Sequence, residues 1–318
     1  MELIRPRAEI WEQGNTLEDM WKHIARCTRV CYQSTPKENG ETDEAFVKRV
    51  ILRPDSSTGE LNFDKIHGAM LEHGTIYLTI PITNVIGDEV NLSFAVIADK
   101  YRYNKYSKVV SSDKYVYITT NLRVIYENNW IDDLEYIDIP RFHHKRVTVS
   151  FTTNIGVTRE FNRHRVNSPS EESTRYCNYN RRNDGQIKIG LPAWLLDEEH
   201  LPYIESHQFD KLSSYCEEYL NDNNDINPEC WCDMDFYLFS LTVSEYCYNM
   251  LIKKGWKPQQ AREVLPLATK SQLVHTAFID DWKHFFALRA DGISGPPHPN
   301  AALLAKPLKE EFIKRGLL

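Results

Sequence analysis

The most chemically capable side chains fall in one short polar run, Arg163-His164-Arg165-Val166-Asn167-Ser168-Pro169-Ser170-Glu171-Glu172-Ser173-Thr174-Arg175-Tyr176. It holds three arginines, a histidine, three serines and two glutamates. A guanidinium presents a planar fork of donors that fits a phosphate or a pyrimidine carbonyl. Serine hydroxyls and loop amides complete an anion nest. The two carboxylates can orient the arginines or accept hydrogen bonds from sugar hydroxyls. The whole chain has a formal net charge of −7, so such a cluster points to a phosphorylated small molecule. A protein that held nucleic acid by general electrostatics would be basic, and no nucleic-acid partner is expected. Composition alone leaves a plainer reading open, a solvated loop whose surface ion pairs contribute little. Ser173 could be a nucleophile, but no paired base stands out, so it reads as a phosphate ligand.

The bulk numbers fit a folded protein. Of 318 residues 42% are hydrophobic and 12% aromatic, enough to build a core and to exclude disorder. The seven cysteines are odd in number, and Cys230-Trp231-Cys232 has one residue between the thiols where a thioredoxin-like pair has two, so free thiols are expected. The N-terminus lacks an apolar signal core and no run reaches membrane-spanning length; a cytoplasmic location without a membrane partner is expected. His143 and His144 are adjacent and on a strand would face opposite ways, so no metal site is expected.

The elements that must position the polar run alternate in texture. Leu17, Met20, Trp21, Ile24, Cys27, Thr28 and Cys31 recur at helical steps over 17–31. Thr42-Asp43 caps a second helix to about Leu52, and Asp64 a third ending near Gly74. Strands are predicted at Thr75–Ile82, Val90–Ala98, Lys108–Val110, Tyr115–Thr120, Val147–Thr153 and Ser271–Phe278, with a hairpin turn at Ser111-Ser112-Asp113. Helices are predicted at Val157–Asn162, Asp210–Leu220, Phe236–Lys254 and Pro258–Leu265, then from Asp280 or Asp281 through Leu288, and last over Ala301–Lys314. A polar loop spans Arg163 to about Gly185, a polar connector Asn221–Asn227, and Gly292–Pro299 is a loop. Trp282, Phe285 and Phe286 read as core. The fold class is α+β, a mixed or antiparallel sheet packed with helices, and 1–318 reads as one domain.

The order of the polar run is specific. Arg163-His164-Arg165, seven residues, then Ser173 followed by Thr174-Arg175-Tyr176 resembles the signature of the flavin-dependent thymidylate synthase family. Ala261-Arg262-Glu263-Val264-Leu265-Pro266-Leu267 is similar to a second block of that family, and Trp282–Arg289 to its closing helix. Arg29-Val30-Cys31-Tyr32 resembles an early helix.

The resemblance implies an enzyme that makes dTMP from dUMP, with FAD as cofactor and NADPH and 5,10-methylenetetrahydrofolate as co-substrates, working as a homotetramer whose sites draw on several subunits. It implies that Arg163, His164, Arg165, Glu171 and His284 contact FAD. It implies that Glu160, Arg163, Glu171, Glu172, Ser173, Thr174, Arg175, Arg262 and Arg289 hold dUMP. Arg289 takes the catalytic role: a guanidinium beside the uracil favours loss of the N3 proton and makes C5 nucleophilic.

Four departures accompany the resemblance. Ser170 stands where the family's motif has Asn. Glu160 stands where the family has Gln, and would repel a phosphate unless Arg159 or another cation neutralises it. Phe278 and Asp280 stand where the family contacts FAD through Asn and Arg. His73-Gly74-Thr75 matches the start of a family stretch that is then interrupted by a strand-rich insertion over 76–142. Two other readings therefore stay open: a flavoprotein of the same fold with another substrate or no synthase activity, and a nucleotide- or RNA-binding module.

Overall fold

The computed structural model describes residues 1–36, 40–55, 57–59, 66–82, 93–179, 186–198, 200–205, 229 and 231–318. Its centre is a four-stranded antiparallel sheet in the order β2 (Arg7–Trp11), β6 (Arg146–Asn154), β9 (Lys270–Phe278), β7 (Ser168–Glu171). A short parallel pair, β1 (Glu2–Ile4) with β8 (Lys188–Gly190), forms a separate ladder packed against the ends of β6 and β9. Strand alternation gives the central sheet two unlike faces. Val147, Val149 and Phe151 of β6 join Leu273 and Ala277 of β9 in an apolar core. Thr148, Ser150 and Thr276 point the other way and are buried too.

Each face selects its cover. The apolar face carries α5 (Ile155–Phe161), α9 (Ile279–Arg289) and α10 (Pro299–Lys314) through Phe161, Trp282, Phe285, Phe286 and Phe312. The aromatic residues of α9 are thus core, as their spacing predicts. The polar face meets α1 (Leu17–Tyr32), started by a capping box between Thr16 and Asp19. There a chain of buried polar groups pairs across the interface. His23 bonds Thr148 at 3.0 Å, Thr148 bonds Thr276 at 2.7 Å, and Thr276 bonds His73 at 2.8 Å.

Among its described residues, the segment 76–142 mixes strands and helices. It contains most of an antiparallel sheet in the order β3 (Thr75–Pro81), β5 (Tyr115–Asn121), β4 (Lys108–Ser111). It also holds α3 (Ser93–Arg102), α4 (Leu122–Glu127) and a 3-10 turn at Ile131–Tyr136. The strand expected at Val90–Ala98 is therefore a helix from Ser93 onward. β-branched residues suggested a strand, but Ile97, Ala98 and Tyr101 share a helical face, and Ala98 and Tyr101 are buried. Ile76, Leu78, Ile118 and Leu122 share one core with Trp21 and Ile24 of α1 and with Ile51 and Leu52, the end of a helix that starts at Asp43.

Other expectations shift. The helix ending near Gly74 is a 3-10 turn, Gly68–His73, and its expected cap at Asp64 lies outside the described residues. The helix expected at Asp210–Leu220 and the connector Asn221–Asn227 lie there as well. Neither Asp280 nor Asp281 caps α9; both occupy its first turn, where carboxylates meet the positive end of the helix dipole. The loop Arg163–Gly185 contains β7, whose Ser-Pro-Ser-Glu sequence lacks strand formers but pairs as an edge strand, where Pro169 is tolerated. α7 (Asp233–Lys253) covers nearly all of the predicted Phe236–Lys254 helix, the predicted Pro258–Leu265 helix is α8 (Pro258–Ala261) followed by a 3-10 turn at Arg262–Val264, and α6 (His200–Glu205) was not predicted.

Candidate active site

Strand β6 runs directly into α5, whose N-terminus is capped by the Asn154 side chain accepting from Val157 N. Phe161, fully buried, pins the end of α5 into the core. Two consecutive turns follow, His164 N to Phe161 O at 3.0 Å and Asn167 N to His164 O at 3.1 Å. They turn His164 inward and leave Arg163 and Arg165 exposed. Strand β9 runs antiparallel to β6 and feeds α9, which folds back over the apolar face. Its last residue, Arg289, reaches the end of α5.

Arg289 is held by three hydrogen bonds. NH1 donates to the Glu160 carboxylate at 2.6 Å, NH2 to the Glu160 carbonyl at 2.7 Å, and Nε to His164 Nε2 at 3.2 Å. The cation that neutralises Glu160 is therefore Arg289, not Arg159. Arginine can only donate, so His164 Nε2 accepts and the imidazole proton sits on Nδ1. Burial, then Arg289 and His284, push the His164 imidazole down to about 4, which keeps it neutral. Its ring lies 4.9 Å from Phe285 and 6.0 Å from the exposed His284.

These residues surround a cavity of about 560 Å³ lined by Glu160, Arg163, His164, Arg165, His284 and Arg289. A wall missed in the sequence closes it: Ser294, Gly295, Pro296, Pro297 and His298. The signal was the Gly-Pro composition of this stretch, read only as a loop. Its turn needs glycine at Gly292 (φ 70°), where an added Cβ would meet the Gly295 carbonyl oxygen at 2.8 Å.

The second half of the polar run forms a separate group, outside the lining of that cavity. Glu171 accepts from Asn162 Nδ2 at 2.8 Å and from the Ser271 hydroxyl at 2.9 Å. Glu172, buried, accepts from Lys270 Nζ at 2.6 Å and from Gln272 N at 3.1 Å. The two acids thus clamp the loop to β9 and do not orient the arginines of the run, contrary to the expectation. Ser173 N donates to the Cys31 carbonyl, and the Ser173 hydroxyl accepts from Arg175 N at 3.3 Å. Arg262 NH1 donates to the Thr174 hydroxyl at 3.3 Å. Arg175 is exposed, 5.3 Å from the Tyr176 ring. Asn162, also missed, ties the end of α5 to both β9 and β7: its Oδ1 lies 3.4 Å from His275 Nε2 while its amide holds Glu171. Nothing in its sequence context marks it.

Arg163 and Arg165 have no ion-pair or hydrogen-bond partner among the described residues. Two unpaired guanidiniums at the mouth of a half-open cavity, beside an exposed imidazole, fit the pyrophosphate and ring of a flavin dinucleotide.

Residues 140–314 match the family model described as thymidylate synthase complementing protein. The match spans more than half of the chain, which belongs to this family, the one whose signature the Arg-His-Arg run resembles. No curated protein matches by sequence. Among solved structures, the UMP/dUMP methylase PolB from Streptomyces cacaoi bound with 5-Br dUMP is 20% identical, over 54% of this chain and 68% of that one, with a TM-score of 0.37. Its complex with 5-Br UMP is 20% identical over 60% and 74%, with a TM-score of 0.37.

Proposed function

We propose that the chain is a flavin-dependent thymidylate synthase, methylating dUMP to dTMP with FAD, NADPH and 5,10-methylenetetrahydrofolate. The observation that carries this reading is Arg289, fixed at the wall of a cavity whose mouth holds two unpaired arginines. Family membership supports it. Arg163 and Arg165 would hold the FAD pyrophosphate, with His164 and His284 beside the ring system. Bound there, the flavin would supply the hydride that completes the methyl group.

Arg289 acts on the pyrimidine. Three of its five N–H groups are engaged, which fixes the guanidinium and leaves two donors for the substrate. Its charge stabilises the ring with the N3 proton removed, and the electron density gained at C5 lets that carbon attack the folate methylene. His164, neutral, holds Arg289 in orientation by accepting from Nε. Ser173, Thr174, Arg175 and Arg262 would take the nucleotide phosphate and sugar, supported by Glu171 and Glu172. They lie outside the Arg289 cavity of the same chain, so the site would be completed between subunits of a homotetramer. We read the chain as one catalytic unit into which 76–142 is inserted.

The test is conversion of dUMP to dTMP by purified protein supplied with FAD, NADPH and methylenetetrahydrofolate, with omission of each in turn. A second reading, a flavoprotein of this family with another substrate, is favoured by the Glu160 carboxylate, which offsets the charge of Arg289. Complementation of a thymidine-requiring strain separates the two. Growth supports the synthase, while failure by a soluble, flavin-loaded protein favours the second reading. A colourless protein that binds polynucleotide with steep salt dependence would favour a binding module over either.

A further inference from the structure

Arg146 begins β6 on the sheet face that meets α1, and its guanidinium is surrounded by neutral acceptors. NH1 donates to the Glu72 carbonyl at 2.9 Å and the Thr75 hydroxyl at 3.2 Å, and NH2 reaches the Ser168 hydroxyl at 3.4 Å. Nε is buried with no acceptor. The nearby Glu72 carboxylate pairs with Arg123 instead, at 2.6 Å. The other titratable groups facing Arg146 are His23 of α1, His73 of the 3-10 turn Gly68–His73, Tyr77 of β3 and Asp281 of α9. Burial lowers the Arg146 pKa to about 10, as for a cation short of anionic partners. Beside it, Lys145 is exposed and has no ion-pair or hydrogen-bond partner among the described residues.

Both cations line a cavity of about 750 Å³, large enough for a small organic molecule. Trp11, Tyr77, Val147 and Leu317 give it an apolar wall. Gln13 fixes one rim by exchanging two hydrogen bonds with the Thr75 backbone, at 2.7 and 2.8 Å. Asn15, just ahead of α1, also lines the cavity, while the helix N-terminus itself is taken up by its Thr16–Asp19 capping box. The third cation in the lining, Arg315, is already satisfied by Glu12 and Glu311. This cavity and the Arg289 cavity sit at opposite ends of α10, roughly 24 Å apart along its axis.

We infer that this second cavity binds a small organic anion, a carboxylate or phosphate head on an apolar body, with the head between Lys145 and Arg146 and the body against Trp11 and Leu317. A buried cation with incomplete pairing is stabilised by such a ligand, and an apolar wall gives it a reason to prefer an organic anion over an inorganic one. The inference stands apart from the function proposed above, since none of these residues belongs to the Arg289 cavity.

The test is calorimetric titration of the full chain with phenyl phosphate, benzoate and the neutral benzyl alcohol. Saturable binding of at least one anion and none of the alcohol is expected, and the tighter anion identifies the preferred head. Lys145→Gln, an exposed change that spares the core, should weaken that anion about tenfold, the loss of one charge-assisted hydrogen bond. Arg165→Gln, at the other cavity, should leave the affinity unchanged. No saturable binding by either anion, equal affinity for the alcohol, or a loss with Arg165→Gln but not with Lys145→Gln would each overturn the inference.

Discussion

At the residue scale Arg289 is the central group, and its position is set by Glu160 and His164. Arg289→Ala should lower kcat by about 10²–10³, the range for removing a preorganised electrostatic donor. Arg289→Lys should recover little, because a single ammonium cannot serve three acceptors in a plane. Glu160→Gln should act in the opposite direction on binding. Removing a carboxylate beside the cavity should lower the KM for dUMP, measured by steady-state kinetics; an unchanged KM would mean that the carboxylate does not face the nucleotide. The signature Arg163-His164-Arg165 was legible in the sequence because its order is specific. The Glu160 pairing was not, because its partner lies 129 positions away and only the return of α9 brings them together. Asn162 was invisible for a related reason: one polar side chain among many gives no sign that it will bridge Glu171 and His275.

At the element scale, β6, β9 and α9 were legible from their β-branched or aromatic runs, since they are buried on regular periods. The elements that failed are those whose neighbours decide. β7 is a strand because β9 offers it an edge, and Ser168–Glu171 carries no intrinsic preference for one. The 93–102 segment is helical although its apolar residues suited either period, until burial of Ala98 and Tyr101 chose one face. The clamp on the loop after β7 also belongs to this scale. Lys270 and Glu172 form a buried pair at 2.6 Å, so Lys270→Met removes the cation that faces this carboxylate. It should cost about 3–5 kcal/mol, the usual range for breaking a buried pair, and appear as a lowered melting temperature. The same change should weaken substrate binding by freeing Ser173–Arg175.

At the scale of the whole molecule, histidines buried on both faces of the central sheet, His23 against α1 and His275 beside Phe151, make the fold sensitive to acid. Burial pushes His23 down to about 4 and His275 to about 3. In the unfolded chain both take up protons as the pH falls through about 6.5, while in the folded protein they stay neutral. The unfolded state therefore binds more protons below that pH. Stability is fully present above it and falls toward pH 4 by up to about 1.4 kcal/mol per pH unit for each histidine. Urea unfolding at neutral and mildly acid pH checks the sign; equal stability at both would show that these histidines are not buried neutral. The central claim is that the Arg163–Arg165 turn and Arg289 serve one flavin and one pyrimidine. Its most direct measurement is reoxidation of the reduced flavin in purified protein on addition of dUMP with methylenetetrahydrofolate under anaerobic conditions. Reoxidation that depends on both compounds and is lost in Arg289→Ala is predicted. Reoxidation that ignores dUMP, or persists unchanged in Arg289→Ala, would contradict the account.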